Sequence, residues 1–161
     1  MPGLTTFNEA DLESLRPRLL ALTAAPGWAD PLLAGRPFGD EERLLATSDA
    51  LVLGLDESQV DEALAGHPRI GERGSAQSAR EQAGMSAADE SIRAAMAEGN
   101  AAYEERFGRI YLVAAAGRSA GELLGLLRER LDNDPVTELG VVRGELARIT
   151  RLRLTSLLEE L

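Results

Sequence analysis

The sequence predicts an all-α fold, a single-domain multi-helix bundle, on three observations. Apolar residues recur at three- and four-residue spacing almost throughout the chain. Asp, Ser, Gly and Pro stand where such helices would begin and end. The 161 residues contain no internal repeat, low-complexity tract or linker, so one domain over 1–161 can bury a core without a disulfide or a structural metal.

The elements follow in order. Leu12, Leu15, Leu19 and Leu22 form the first helical series, and Pro17 inside it is expected to end or kink that helix. Trp28 and Phe38 fall in Gly/Pro-rich connections and read as core anchors rather than stacking platforms. Asp40 caps a helix reaching about Leu53, and Asp56 caps another that stops at Gly66, where a left-handed C′ residue costs little. A polar stretch at 71–76 precedes a short helix ending near Gly84. Ser86 then opens a longer helix that reaches about Phe107 and is closed by Gly108. The run 110–116 is apolar without a clear period, so it is buried as either a short strand or a helical turn. Ser119 and Glu122 have capping-box spacing ahead of a helix to Leu131, and Asp134 caps the last helix with Pro135 at its first position.

Composition excludes several classes of function. The formal charge is −10, and with no basic cluster the chain is a poor ligand for nucleic acid or an anionic membrane. All 17 basic residues are arginine, which removes Schiff-base chemistry on lysine, and the absence of cysteine removes thiol catalysis. One histidine without cysteine also makes a zinc site of the usual kind a poor expectation. Residues 1–8 lack a basic region followed by an apolar core, and no stretch approaches the ~18 apolar residues of a membrane span, so a cytoplasmic location is expected.

Three places hold candidate chemistry. His67 is the lone imidazole, and its Gly66-His67-Pro68 corner restricts the backbone before any ligand arrives. A lone histidine is more often structural than catalytic, and from these residues alone both readings stay open. Ser78, Glu81 and Gln82 stand at i, i+3 and i+4, which puts three polar ends on one helical face, although Ser78 and Glu81 also fit a plain capping box. Arg153 lies in the apolar stripe of the last helix with Val142, Leu146, Ile149 and Leu157, all within an arc of about 80°, while Arg148 and Arg151 point away. Its guanidinium either snorkels or pairs with a structural carboxylate, or it receives a substrate carboxylate or ureido oxygen.

Several motifs together resemble the OHCU decarboxylase family. They are His67-Pro68-Arg69-Ile70-Gly71, Ser78-x-x-Glu81-Gln82-x-Gly84, and Asn100-x-x-Tyr103-x-x-Arg106-Phe107-Gly108. The likeness continues through residues 111–119, 131–135 and 149–154, and it departs at Gly108-Arg109-Ile110-Tyr111, where some members are more aromatic and contain proline. These enzymes act on 2-oxo-4-hydroxy-4-carboxy-5-ureidoimidazoline, the last intermediate between urate and allantoin. The resemblance implies an all-α homodimer that needs no cofactor and no metal, coupled in function to urate oxidase and hydroxyisourate hydrolase. It implies His67 as the catalytic residue and Glu81 as its hydrogen-bonded partner. Ser78, Gln82 and Arg153 would hold the ureidoimidazoline, Pro68 would line the site, and backbone at Val113, Ala115 and Gly117 would meet the ligand. A non-catalytic helical binding or scaffold module of the same fold is the alternative.

Overall fold

A computed structural model describes residues 2–70 and 90–161, and its described residues form eight α-helices and no strand. They are α1 (Pro2–Glu9), α2 (Leu12–Leu22), α3 (Pro26–Ala34), α4 (Glu41–Leu53), α5 (Glu57–Leu64), α6 (Glu90–Phe107), α7 (Ala120–Arg130) and α8 (Pro135–Glu160). The chain divides into two compact units, one of Met1–Gly66 with Arg143–Leu161 and one of His67–Val142. No described helix is long and apolar enough to cross a membrane.

Side-chain caps start five of the eight described helices, four of them at the residues the sequence predicts and one, Asp11, at a residue it did not single out. Asp11, Asp40, Asp56 and Asp134 each accept a hydrogen bond from the backbone N–H three residues on, at 2.8 Å. The Asp56 cap is a full capping box, since Gln59 Oε1 also accepts from the Asp56 N–H at 3.0 Å. The Ser119 cap is only half of one. Its Oγ accepts from the Glu122 N–H at 3.2 Å, but the Glu122 carboxylate returns to the Ser119 hydroxyl instead of the backbone.

In the first unit the core surrounds Trp28, which is fully buried and donates through Nε1 to Ser48 Oγ at 2.9 Å. Trp28 is helical, within α3, and not in a connection as its neighbouring Gly and Pro suggested. Pro26 starts that helix, where its missing N–H costs nothing, and Ala29, Leu32 and Leu33 bury the same face. Phe38 does lie in a connection, half-buried against Phe7 with ring centroids 6.3 Å apart. Pro17 does not end α2. Proline and the carbonyl it fails to reach are on the exposed side, so burial of Leu15, Leu19 and Leu22 carries the helix across it. The helix α1 has no counterpart in the apolar pattern. It forms because Gly3 lets it approach α8 so closely that a Cβ there would lie 2.0 Å from the Leu158 carbonyl oxygen. Arg36 Nη1 then serves its last carbonyls, Phe7 O at 3.0 Å and Ala10 O at 2.7 Å.

In the second unit, α6 and α7 pack on each other around Met96, Tyr103, Tyr111, Leu123 and Leu127. Gly108 ends α6 with φ +74°, donating its N–H to the Glu104 carbonyl at 2.9 Å, as its place in the sequence predicts. Residues 111–115 are buried and irregular, neither a strand nor a helical turn. The short helix expected before Gly84 and the start expected at Ser86 lie outside the described residues.

Candidate functional site

His67 is where the second unit begins, half-buried beside a half-buried Pro68. The chain reaches it through Ala65, the right-handed C-cap of α5, and a turn at Gly66. No left-handed residue is used there. The left-handed conformation expected of Gly66 is not adopted: among the described residues positive φ occurs at Gly108 and Gly117, and Pro68, which disfavours helical geometry at His67, supplies a stop without a glycine device.

The corner is tied to α6 immediately after His67. Ile70 is buried among Met96, Tyr103, Tyr111, Val113 and Ala115, and its carbonyl accepts from Asn100 Nδ2 at 3.1 Å. Arg69 meets Glu104 in a forked pair, Nε to Oε2 and Nη2 to Oε1, both at 2.7 Å. The Arg69 hydrogen bond holds the Glu104 carboxyl below the usual glutamate range.

Val113 and Ala115 share the core that holds Ile70, so the structure brings the irregular apolar segment to the residue three positions after the histidine. Arg130 Nη1 donates to the Leu112 carbonyl at 2.7 Å, and Arg118 Nη1 to the Ala114 carbonyl at 3.2 Å. Gly117 is exposed at a turn with φ +78°. Arg130 is in turn fixed by Glu138, whose Oε2 accepts from Nε at 2.8 Å and Nη2 at 2.5 Å and also from the Tyr103 hydroxyl. Asn133 Nδ2 donates to the other oxygen at 3.1 Å. Burial and the Glu138 carboxylate push the Tyr103 hydroxyl far above the ordinary tyrosine range, so it stays a donor. Burial works against the Arg130 charge, and the Glu138 hydrogen bond outweighs it, raising the guanidinium's hold on its proton.

Arg153 belongs to the first unit and is only 7% exposed, in the stripe its spacing predicts. Its Nη1 donates to the Leu22 carbonyl at 2.9 Å, a backbone partner that neither sequence reading named. Ser78, Glu81 and Gln82 lie outside the described residues. Among the described residues no group of three or more His, Cys, Asp or Glu side chains could hold a metal ion.

Sequence reasoning assigned no role to Asn100, Glu104, Arg130 or Glu138. Arg130 had the same signal as Arg153, because Leu123, Leu127 and Arg130 stand at i, i+4 and i+7 on one face of α7. Asn100 and Glu104 are one turn apart on α6, which hinted at a shared face but not at what it would hold.

His67 is the one imidazole of the sequence, on a corner whose backbone Pro68 restricts, and Ile70, three residues on, joins the apolar core that holds Val113 and Ala115. The family model for OHCU decarboxylase matches residues 8–155. The chain belongs to the OHCU decarboxylase family. Among the family's relatives, the 2-oxo-4-hydroxy-4-carboxy-5-ureidoimidazoline decarboxylase of Mus musculus is 34% identical over 145 residues, covering 85% of this chain and 79% of that protein. The uric acid degradation bifunctional protein TTL of Arabidopsis thaliana is 28% identical over 142 residues, which are 83% of this chain and 44% of that protein. This chain thus spans less than half the length of that bifunctional relative. A crystal structure of OHCU decarboxylase in the presence of (S)-allantoin matches with a TM-score of 0.77 at 25% identity, covering 87% of this chain and 96% of the other. The all-α fold class of the OHCU decarboxylase family is the one the sequence predicts.

Proposed function

We propose that the chain is a carboxy-lyase of urate degradation, converting 2-oxo-4-hydroxy-4-carboxy-5-ureidoimidazoline to (S)-allantoin without a cofactor. The observation that carries this reading is the family match over residues 8–155, a span that contains every residue given a role below.

The substrate brings its own electron sink. As the bond from C4 to the carboxylate breaks, its electron pair forms a C4–C5 double bond, and the pair of the adjacent C=N unit moves onto nitrogen, which takes a proton. The C4 hydroxyl then gives up its proton as C5 accepts one, so one proton is consumed overall and CO2 leaves. The protein has to orient the ring and manage these protons. His67 is the acid–base group, and Glu81 sets its tautomer. Arg153 grips an anionic or carbonyl group through its fork, Ser78 and Gln82 read ureido and ring polar atoms, and Pro68 with the backbone of Val113, Ala115 and Gly117 walls the site. Delivery to one face of C5 yields one enantiomer. A homodimer in the cytoplasm, working after urate oxidase and hydroxyisourate hydrolase, completes the reading, and sedimentation at twice the 17.2 kDa chain mass would support the dimer.

The test is circular dichroism during urate breakdown, with the unstable substrate generated in place by the two upstream enzymes. Wild type should give a rapid (S)-allantoin signal, and His67→Ala should slow it by about 10²- to 10⁴-fold. A folded wild type that leaves the slow, racemic decay unchanged would favour the scaffold alternative. Equal activity in His67→Ala would keep the reaction and remove His67 from it.

A further inference from the structure

We infer that Asn100 and Glu104 form a clamp on α6 that positions His67 for proton transfer, an inference that rests on the decarboxylase reading. Neither is a catalytic residue here. Both are positioning residues that act through the segment 67–70.

Three attachments fall within three residues of the histidine: the buried Ile70 side chain, the Ile70 carbonyl on Asn100, and the Arg69 fork on Glu104. On the helix, Met96, Asn100 and Tyr103 stand at i, i+4 and i+7, and Glu104 is one turn beyond Asn100, so a single face of α6 receives residues 69 and 70. Between the clamp and the imidazole stands Pro68, whose ring fixes its own φ and narrows the choices of His67. A shift at residues 69 or 70 is therefore passed to His67 instead of being absorbed.

Stability alone does not account for this pair. Asn100 is 6% exposed and makes one hydrogen bond through Nδ2, while its Oδ1 has no hydrogen-bond partner among the described residues. An unpaired buried acceptor costs at least as much as one such bond returns, so an apolar residue would serve a plain core as well. The Arg69–Glu104 pair is partly exposed, where ion pairs add little stability, but its forked geometry fixes a direction. What both provide is a defined course for the chain that carries the imidazole.

The experiment uses the tag-free 161-residue chain, in which His67 gives the sole histidine ring signal in a 1H–13C spectrum. Asn100→Asp keeps the side-chain shape and replaces the donor facing the Ile70 carbonyl with an oxygen. Glu104→Gln weakens the fork at a partly exposed position, where folding is not at risk. Each should lower kcat, by roughly 10- to 100-fold for Asn100→Asp, as expected for a small misplacement of a reacting group, and by less for Glu104→Gln. KM should stay within about twofold, since substrate contacts are elsewhere, and the ring signal should move in both variants. The exchange Arg69→Glu with Glu104→Arg should restore most of kcat relative to either single change. Variants with unchanged kcat and an unmoved ring signal, beside an active wild type, would overturn the clamp alone. Loss of kcat that merely follows a falling melting temperature, or no restoration by the exchange, would overturn it too. An inactive wild type would overturn the decarboxylase reading and, with it, the clamp's catalytic purpose.

Discussion

Replacing Glu138 by glutamine tests the buried network of the second unit. Glu138 is fully buried and Arg130 is 5% exposed, so neither charge has solvent to fall back on once the other is gone. Glutamine would turn an amide N–H₂ toward either Arg130 or Asn133, both of which donate to the carboxylate. Breaking one side of a buried pair costs about 3–5 kcal/mol, because the remaining charge stays desolvated. Set against a total of about 5–15 kcal/mol, that is a large share. At ~2–4 °C per kcal/mol for a chain of this size, the melting temperature should fall by roughly 6–20 °C. The pair Arg130→Met with Glu138→Leu removes both charges but strands the Leu112 carbonyl and the Tyr103 hydroxyl, each at about 1–3 kcal/mol. Relief of ion-pair desolvation returns about 1–4 kcal/mol, so the double change should be milder than Glu138→Gln. Urea unfolding followed by far-ultraviolet circular dichroism measures both, and Trp28, the sole tryptophan, reports separately on the first unit. A loss below about 1 kcal/mol for Glu138→Gln, or a double variant worse than the single, would refute the reasoning.

The other predictions are simpler. Gly99→Ala places a Cβ 2.4 Å from Leu127 Cδ2 in the packed core of the second unit, so it should cost about 1–3 kcal/mol in urea unfolding; an unchanged midpoint would show that Leu127 can yield. Gly108→Ala meets no steric neighbour but forces φ +74° on a residue with a Cβ, at about 1–2 kcal/mol, and Gly108→Asn should recover part of that. Asp134, held by the Thr137 N–H, Asp11, held by Ser14, and Glu104, held by Arg69, all have carboxyls below their ordinary values of 3.8, 3.8 and 4.5. Their folded pKa values are depressed, so their stabilisation is complete above those ordinary values and is lost as pH falls through the lower folded ones. A melting temperature that rises on acidification from pH 4.5 would contradict this. EDTA should leave the decarboxylation rate unchanged, and a loss restored by added metal would redirect the mechanism to a metal centre.

What the sequence made legible was whatever a side chain announces locally. Asp40, Asp56 and Asp134 begin helices by chemistry that acts over three residues, and Arg153 in an apolar stripe is visible from spacing alone. The His67 corner was readable because Pro68 restricts its neighbour wherever the chain goes. Other features depend on what the chain meets in space. The helix α1 rests on a close approach at Gly3, 155 residues from Leu158, and α3 is masked by the glycine and prolines around Trp28. The run 110–116 has no period because its course is set by Arg130 and Arg118 from outside. Of the candidate site, His67, Pro68, Val113, Ala115 and Gly117 fall in one unit and Arg153 in the other, while Ser78, Glu81 and Gln82 fall outside the described residues.

That outside control of residues 111–115 bears on how the family can diverge. The carbonyls of Leu112 and Ala114 are gripped by guanidinium groups eighteen and four residues away, as the pairs Arg130–Leu112 and Arg118–Ala114 show. Side chains within the run can then vary while the line of the backbone persists, except Tyr111, which is buried and donates to the Leu123 carbonyl at 2.9 Å. A substitution at either arginine should therefore disturb the wall through its backbone, although no side chain of the wall itself is changed.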